Sequence, residues 1–207
     1  MATLANLFAQ LVILIFSMIL HEVAHGKAAE WCGDGTARER GRLTFNPVPH
    51  IDPMGTIVLP LLLAVTHSPV IFGWAKPVPI NPMRFRNPKR DIAIVGAAGP
   101  LSNLALAALS ASVFKLLAPA WGVNHPAVQF LLFAAAINVV LLVFNLIPLP
   151  PLDGSRIVMG LLPRHLAVRY AQMERYGFIL IFLLLFLGLN RWVIWPMVHL
   201  ILRLLVG

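Results

Sequence analysis

Charge is what this chain has least of. Of its 207 residues 12% are charged, only eight of them acidic, against 59% hydrophobic. A soluble domain carries about a quarter charged residues, so this scarcity excludes an ordinary soluble fold and points to a membrane protein. Cysteine is nearly absent: Cys32 stands alone, and no internal disulfide can frame the fold. The opening MATLANLFAQ has no basic residue before the apolar run and no small-residue cleavage site after it. It therefore reads as a retained helix rather than a signal peptide. There is no internal repeat and no low-complexity tract. The length suits one membrane-embedded unit over 1–207 with no separate soluble module. The net charge of +8 is read as basic loops facing a cytoplasm lined with anionic lipid, and not as a nucleic-acid surface.

What is present is apolar sequence in long runs. A bilayer has about 30 Å of hydrocarbon, which takes about 20 helical residues to cross. Stretches at 4–30, 92–118, 127–149 and 177–206 meet or approach that length. The last is interrupted by Asn190, Arg191 and Pro196 and predicts either a hairpin of two short helices or one broken helix. A fifth stretch, 55–74, contains Pro60, His67, Pro69 and Gly73. It reads as a full span or as a re-entrant segment, irregular backbone at depth being tolerated where it lines protein or a wet cavity. The expected class is an all-α polytopic membrane protein. It has a three-helix core (about 4–160), a re-entrant and short β segment (a strand at 42–45), and one or two C-terminal helices (about 170–206).

The sharpest motif is His21-Glu22-Val23-Ala24-His25. On a helix, His21 and His25 share one face and can grip one metal ion, while Glu22 stands beside them to act on a metal-bound water. Seven histidines and four glutamates in this length give HExxH by chance with a probability of about half a per cent. The motif also follows 11–20, an apolar run with Ser17 as its one polar residue. Ionisable groups at that depth are costly and usually functional. The bland alternative is a histidine pair hydrogen-bonded at a helix end.

Zinc needs a third protein ligand and a fourth position left to water. Glu30, Asp34, Asp52, Asp91 and Asp153 are the candidates. Glu30 is too near His25 along the same helix to turn back on the ion. Asp153 follows an apolar helix in NLIPLPPLDG, where prolines stop the helix and Gly154 permits a tight turn. It is the preferred ligand, and capping the next helix is a role it can fill as well or instead.

The pairing of HEVAH with NLIPLPPLDG resembles the site-2 protease family of intramembrane zinc metalloproteases. GRLTFNPVPHIDPMGT at 41–56, GWAKPVPIN at 73–81 and AAGPLSNLALA at 97–107 are similar to its small prokaryotic branch, so the resemblance covers about residues 10–160. It implies Zn2+ held by His21, His25 and Asp153, with Glu22 as general base and with Asn103 and Asn145 near the site. It further implies cleavage of peptide bonds within transmembrane segments of substrate proteins, in a prokaryotic cell membrane. Neither a PDZ nor a nucleotide-sensing domain, carried by many relatives, is present in this sequence.

Ligands of one ion must lie at one depth, which favours the re-entrant reading of 55–74. In that topology 13 of the 16 basic residues share one side. The positive-inside rule makes that side the cytoplasm and opens the site toward it. Glu22 would take a proton from zinc-activated water and return it to the leaving amine. Asn145 or Asn103 would donate to the oxyanion or else make a helix-packing bond. A substrate helix must unwind to be cut, and 42–45 or the stretch after Gly55 would offer it a strand edge. His50 is expected to order a loop, and Trp121, Trp192 and Trp195 to mark membrane interfaces. Two rivals stand beside this reading, a metal transporter using the same His/Asp cluster and an inactive scaffold binding membrane helices.

Overall fold

Long apolar runs in a medium without water must satisfy their own backbone, and they do so as helices. The structure, a computed structural model, describes residues 4–58, 62, 65 and 75–207, and their side chains apart from those of 4–7 and 57. Helix α1 is Leu4–Trp31. It closes at Gly33 (φ +108°), where Asp34 N–H donates back to Ala29 O at 2.8 Å. The short α2 is Thr36–Glu39. Helices α3 (Pro88–Trp121) and α4 (Pro126–Asn145) each carry proline in their first turn, where its missing N–H costs nothing. Four shorter helices follow: α5 (Asp153–Leu161), α6 (Arg164–Ala171), α7 (Glu174–Phe186) and α8 (Trp195–Val206).

Three helices are long and apolar enough to cross a membrane, α1 from Phe8 onward, α3 and α4. The chain is an all-α polytopic membrane protein. Helices α7 and α8 also pass that test as a pair, bent by 72°. The bend contains Gly188 (φ +95°) and a π-type turn at Asn190–Ile194, and Pro196 opens α8. The stretch 177–206 is therefore one sharply bent pair. Phe8, Leu11, Ile15, Leu101, Leu109 and Leu116 are exposed, an outward apolar surface fit for lipid. Inside, α3 turns Gly96, Gly99, Pro100, Asn103, Ala107 and Ala111 to its neighbours. Such small residues at helical spacing let backbones approach closely, which is how helices pack where lipid competes for every apolar contact.

The end of α1 and the start of α3 lie together, Arg86 N–H donating to Cys32 O at 3.0 Å. The segment between them thus leaves and returns at one end of the bundle, as a re-entrant 55–74 requires. Most of 55–74 itself lies outside the described residues; its first part, Pro53–Val58, is a short π-type helix. The strand expected at 42–45 is not there. Among the described residues no strand forms, and 43–45 is a series of bends. The buried Arg42 turns inward to the carbonyls of Lys76 (2.7 Å) and Pro77 (3.3 Å), while Thr44 O accepts from His50 Nε2 at 3.0 Å. Alternation in the sequence cannot make a strand where side chains take up the backbone's hydrogen bonds. His50 orders this loop, its carbonyl accepting from Lys76 N–H at 2.9 Å.

Asp34 ties the two ends of the segment. It accepts from the Thr36 hydroxyl, from Thr36 N–H (3.0 Å) and from Asn81 N–H (2.6 Å). Burial pushes its carboxyl up, but these bonds and the Arg84 charge outweigh burial and leave it below the ordinary value. A depressed folded-state pKa contributes stability above the unfolded value of about 3.9 and loses it as pH falls through the folded one. Asp34→Asn is therefore expected to lower stability at pH 7 by about 1–3 kcal/mol. It should also flatten the wild type's loss below about pH 4, both read from thermal melts in detergent.

Candidate metal centre

The HEVAH motif sits in the last third of α1, where His21 and His25 fall on one face four residues apart. That face looks onto α3. His21 Nδ1–H donates to Asn103 Oδ1 at 2.6 Å, and His25 Nδ1–H donates to Val95 O at 2.7 Å. With both Nδ1 atoms used as donors, both Nε2 atoms carry lone pairs. These stand 3.1 Å apart. Asp153, from the first turn of α5, brings its Oδ2 to 3.0 Å from His21 Nε2 and 3.1 Å from His25 Nε2. All three residues are buried.

Three such atoms in mutual contact call for positive charge among them, a proton or a metal ion. Ligands of a tetrahedral zinc at 2.0–2.2 Å stand about 3.3–3.6 Å apart, so an opening of a few tenths of an ångström accommodates the ion. Two neutral imidazoles and a carboxylate are also the donor types that zinc takes. Among the described residues this is the only group of three potential ligands so disposed.

The backbone had to come close for this to happen. A Cβ on Gly99 would lie 2.4 Å from His25 Nε2 and 2.6 Å from His21 Nε2. A Cβ on Gly154 would lie 2.3 Å from Leu146 O, so only glycine lets the loop after α4 fold back on itself beside Asp153. Ser155 Oγ–H adds a bond to Leu152 O at 2.6 Å.

A cavity of about 120 Å³ opens beside the cluster, lined by His21, Glu22, His25, Asn145, Asp153 and Arg156 together with Pro77, Val78 and Ile80. Glu22 Oε2 accepts from Val78 N–H at 2.8 Å. Asn145 reaches the cavity while one of its Nδ2 hydrogens goes to Leu141 O at 3.0 Å. The Arg156 guanidinium stands 3.6 Å from Asp153 Oδ1, the oxygen turned away from the histidines. Of the two roles open to Asn103, the structure shows the helix-packing bond. The residue is fully buried behind His21, and its Nδ2 is spent on Asn138 Oδ1 at 2.8 Å.

The other carboxylates have structural work elsewhere. Glu30 pairs with Lys27 and Arg38, Asp34 ties the loop ends, and Asp52 accepts from Met54 and Gly55 N–H. Asp91 accepts from Asn87 N–H at 2.8 Å. Sequence reasoning missed Ser17, Val78, Gly99, Asn138 and Arg156. Asn138 and Ser17 had a visible signal, a polar side chain inside an apolar run.

An HExxH helix whose histidines meet a distant carboxylate between apolar helices defines a membrane-embedded metallopeptidase. Comparison with known proteins agrees. The model of the family described as Peptidase family M50 matches residues 112–188. The protein named "Putative zinc metalloprotease YwhC", from Bacillus subtilis (strain 168), is 41% identical over 192 residues, 90% of this chain and 84% of that one. Proteins named "Putative zinc metalloprotease Rip2" are 34% identical in Mycolicibacterium smegmatis and 35% identical in Mycobacterium tuberculosis (strain H37Rv). Each of these matches covers 86% of this chain and 67% of the relative. No solved structure matches significantly. The chain belongs to peptidase family M50, the site-2 protease family, and is a zinc metalloprotease that uses Zn2+.

Gly99→Ala tests the close approach: the added methyl overlaps both Nε2 atoms. Near-complete loss of bound zinc is expected in metal analysis of the purified protein, with the helix content by circular dichroism retained.

Proposed function

We propose that this protein hydrolyses peptide bonds within or beside the transmembrane segments of other membrane proteins. The observation that carries the reading is a buried His21–His25–Asp153 cluster between spanning helices with a cavity and the Glu22 carboxylate at its side. His21, His25 and Asp153 hold the zinc. Zinc bound there would supply Lewis acidity, lowering the pKa of a water toward neutrality and polarising the scissile carbonyl. Glu22 accepts the proton of the attacking water and returns it to the leaving nitrogen. Val78 N–H fixes the Glu22 carboxylate while it does so. Asn145, with its second Nδ2 hydrogen, donates to the oxyanion. Arg156, 3.6 Å from the outer oxygen of Asp153, would offset its charge and leave the inner one for the metal.

The whole chain, 1–207, acts as one membrane-embedded protease unit in a prokaryotic cell membrane. Its partners are the lipid bilayer and a transmembrane substrate. The end of the bundle nearest the site carries most of the Lys and Arg, which supports a cytoplasmic opening. A conduction path for metal ions would need ligands at several depths, whereas the described residues hold one cluster.

Glu22→Gln is expected to slow cleavage of a single-span model substrate in liposomes by about 10²–10⁴-fold while leaving zinc content unchanged. Wild-type turnover retained by Glu22→Gln removes Glu22 as the base. Zinc flux without cleavage by either form turns the reading to transport. Val78→Pro deletes the amide that holds Glu22. Slower cleavage with zinc still bound is the expected result in the same assay.

A further inference from the structure

Beyond the cavity, a chain of buried polar side chains runs from His21 away from the zinc site and across all three spanning helices. His21 Nδ1 meets Asn103 Oδ1, Asn103 Nδ2 meets Asn138 Oδ1 at 2.8 Å, and Asn138 Nδ2 meets Ser17 Oγ at 2.9 Å. Ser17 and His21 belong to α1, Asn103 to α3 and Asn138 to α4. Ser17 and Asn138 are each 2% exposed and Asn103 is 0%. In a bundle facing lipid, such groups persist only when every donor and acceptor is matched.

The chain of bonds has a direction, set at its far end. Asn138 Nδ2 also donates to Ala134 O at 2.9 Å, and a backbone carbonyl can only accept. This settles which end of the Asn138 amide is which, so Asn138 Oδ1 faces Asn103. Asn103 must answer with its Nδ2, which leaves Asn103 Oδ1 facing His21. His21 Nδ1 must then carry the proton, and Nε2 the lone pair. Reversing the Asn103 amide would set N–H against N–H at His21 and drive the ring to the tautomer whose Nε2 is protonated and cannot bind metal.

We infer that Asn138, seated by Ser17 and Ala134 O, is a positioning residue for the metal centre: it orients the Asn103 amide and thereby holds His21 in the zinc-binding tautomer. The inference rests on His21 being a zinc ligand. Partners of this kind are worth about 10–100-fold in metal affinity elsewhere, and Asn138 reaches the metal through two intervening side chains without touching the site. The cost of three buried polar groups in an apolar bundle is thereby converted into a fixed ring orientation.

The test is a double-mutant cycle read as zinc affinity of the full-length protein in detergent, by competition with a chelator. Asn138→Leu preserves size and apolar packing but frees the Asn103 amide to rotate, and about 10-fold or greater weakening of zinc binding is expected. Asn103→Asp replaces the amide by a carboxylate that presents an acceptor to His21 whichever way it turns. In that background Asn138→Leu is expected to cost no further zinc affinity, the signature of action through amide orientation. Equal weakening in both backgrounds, or none in the first, overturns the inference and reduces Asn138 to a packing residue. His21→Ala separates the two layers of the argument. Loss of zinc in His21→Ala with equal weakening in the two Asn138→Leu backgrounds removes only the relay. Undiminished zinc binding by His21→Ala removes the ligand and the relay together.

Discussion

Three atoms with lone pairs, two imidazole Nε2 and one carboxylate Oδ2, are held within 3.1 Å of one another inside a bundle of apolar helices. Such an arrangement repels itself unless a cation sits within it, and the rest of the architecture follows from bringing these atoms to one point. Two come from one face of α1 and the third from 128 residues further along the chain. The end of α1 and the loop after α4 must therefore reach the same depth. The small residues of α3 between them let that happen: Gly99 gives room to the imidazoles, and Gly96 gives room to Asp153 O and Arg156.

The carboxylate is braced from the C-terminal side as well. The loop between α4 and α5 carries four backbone or hydroxyl bonds of its own around Leu146–Ser155, including Leu149 N–H to Ile147 O and Leu152 N–H to Leu149 O. Tyr170 at the end of α6 donates its hydroxyl to Pro148 O at 2.6 Å. Gly177 in α7 lies so close to the Pro150 carbonyl that a Cβ there would stand 2.1 Å from it. The helices after residue 160 thus pack against the loop that leads into Asp153. A side chain at the start of a short helix is held firmly only when neighbours remove its freedom in this way.

Polarity in this protein is rationed by depth. Leu, Ile, Val and Phe are prominent among the exposed side chains, while His21, His25, Asn103, Asn138 and Ser17 are buried and bonded to one another. The segment that follows residue 75 lines the site as well, through Pro77, Val78 and Ile80. Arg42 grips its carbonyls at Lys76 and Pro77, and Val78 N–H reaches Glu22. Prolines at 77 and 79 leave Val78 as the one residue between them able to donate. Glu22, His21, His25 and Asp153 therefore line one small cavity of about 120 Å³.

Much of this was legible in the sequence by itself. Apolar run lengths gave the three spanning helices, because backbone in lipid has no partner but itself. The i, i+4 spacing of His21 and His25 put both rings on one helix face, and the proline stops before Asp153 marked a carboxylate held at a helix end. Local pattern failed at 42–45, where a strand-like alternation met an Arg42 drawn to distant carbonyls and no strand formed. Only the tertiary structure decided the rest, since each remaining feature is a contact between residues far apart in the chain. Asn138 orienting Asn103 and Gly99 making room for two imidazoles are set by how helices pack, Val78 meeting Glu22 by how a loop folds back on α1, and no local spacing in the sequence encodes such distances.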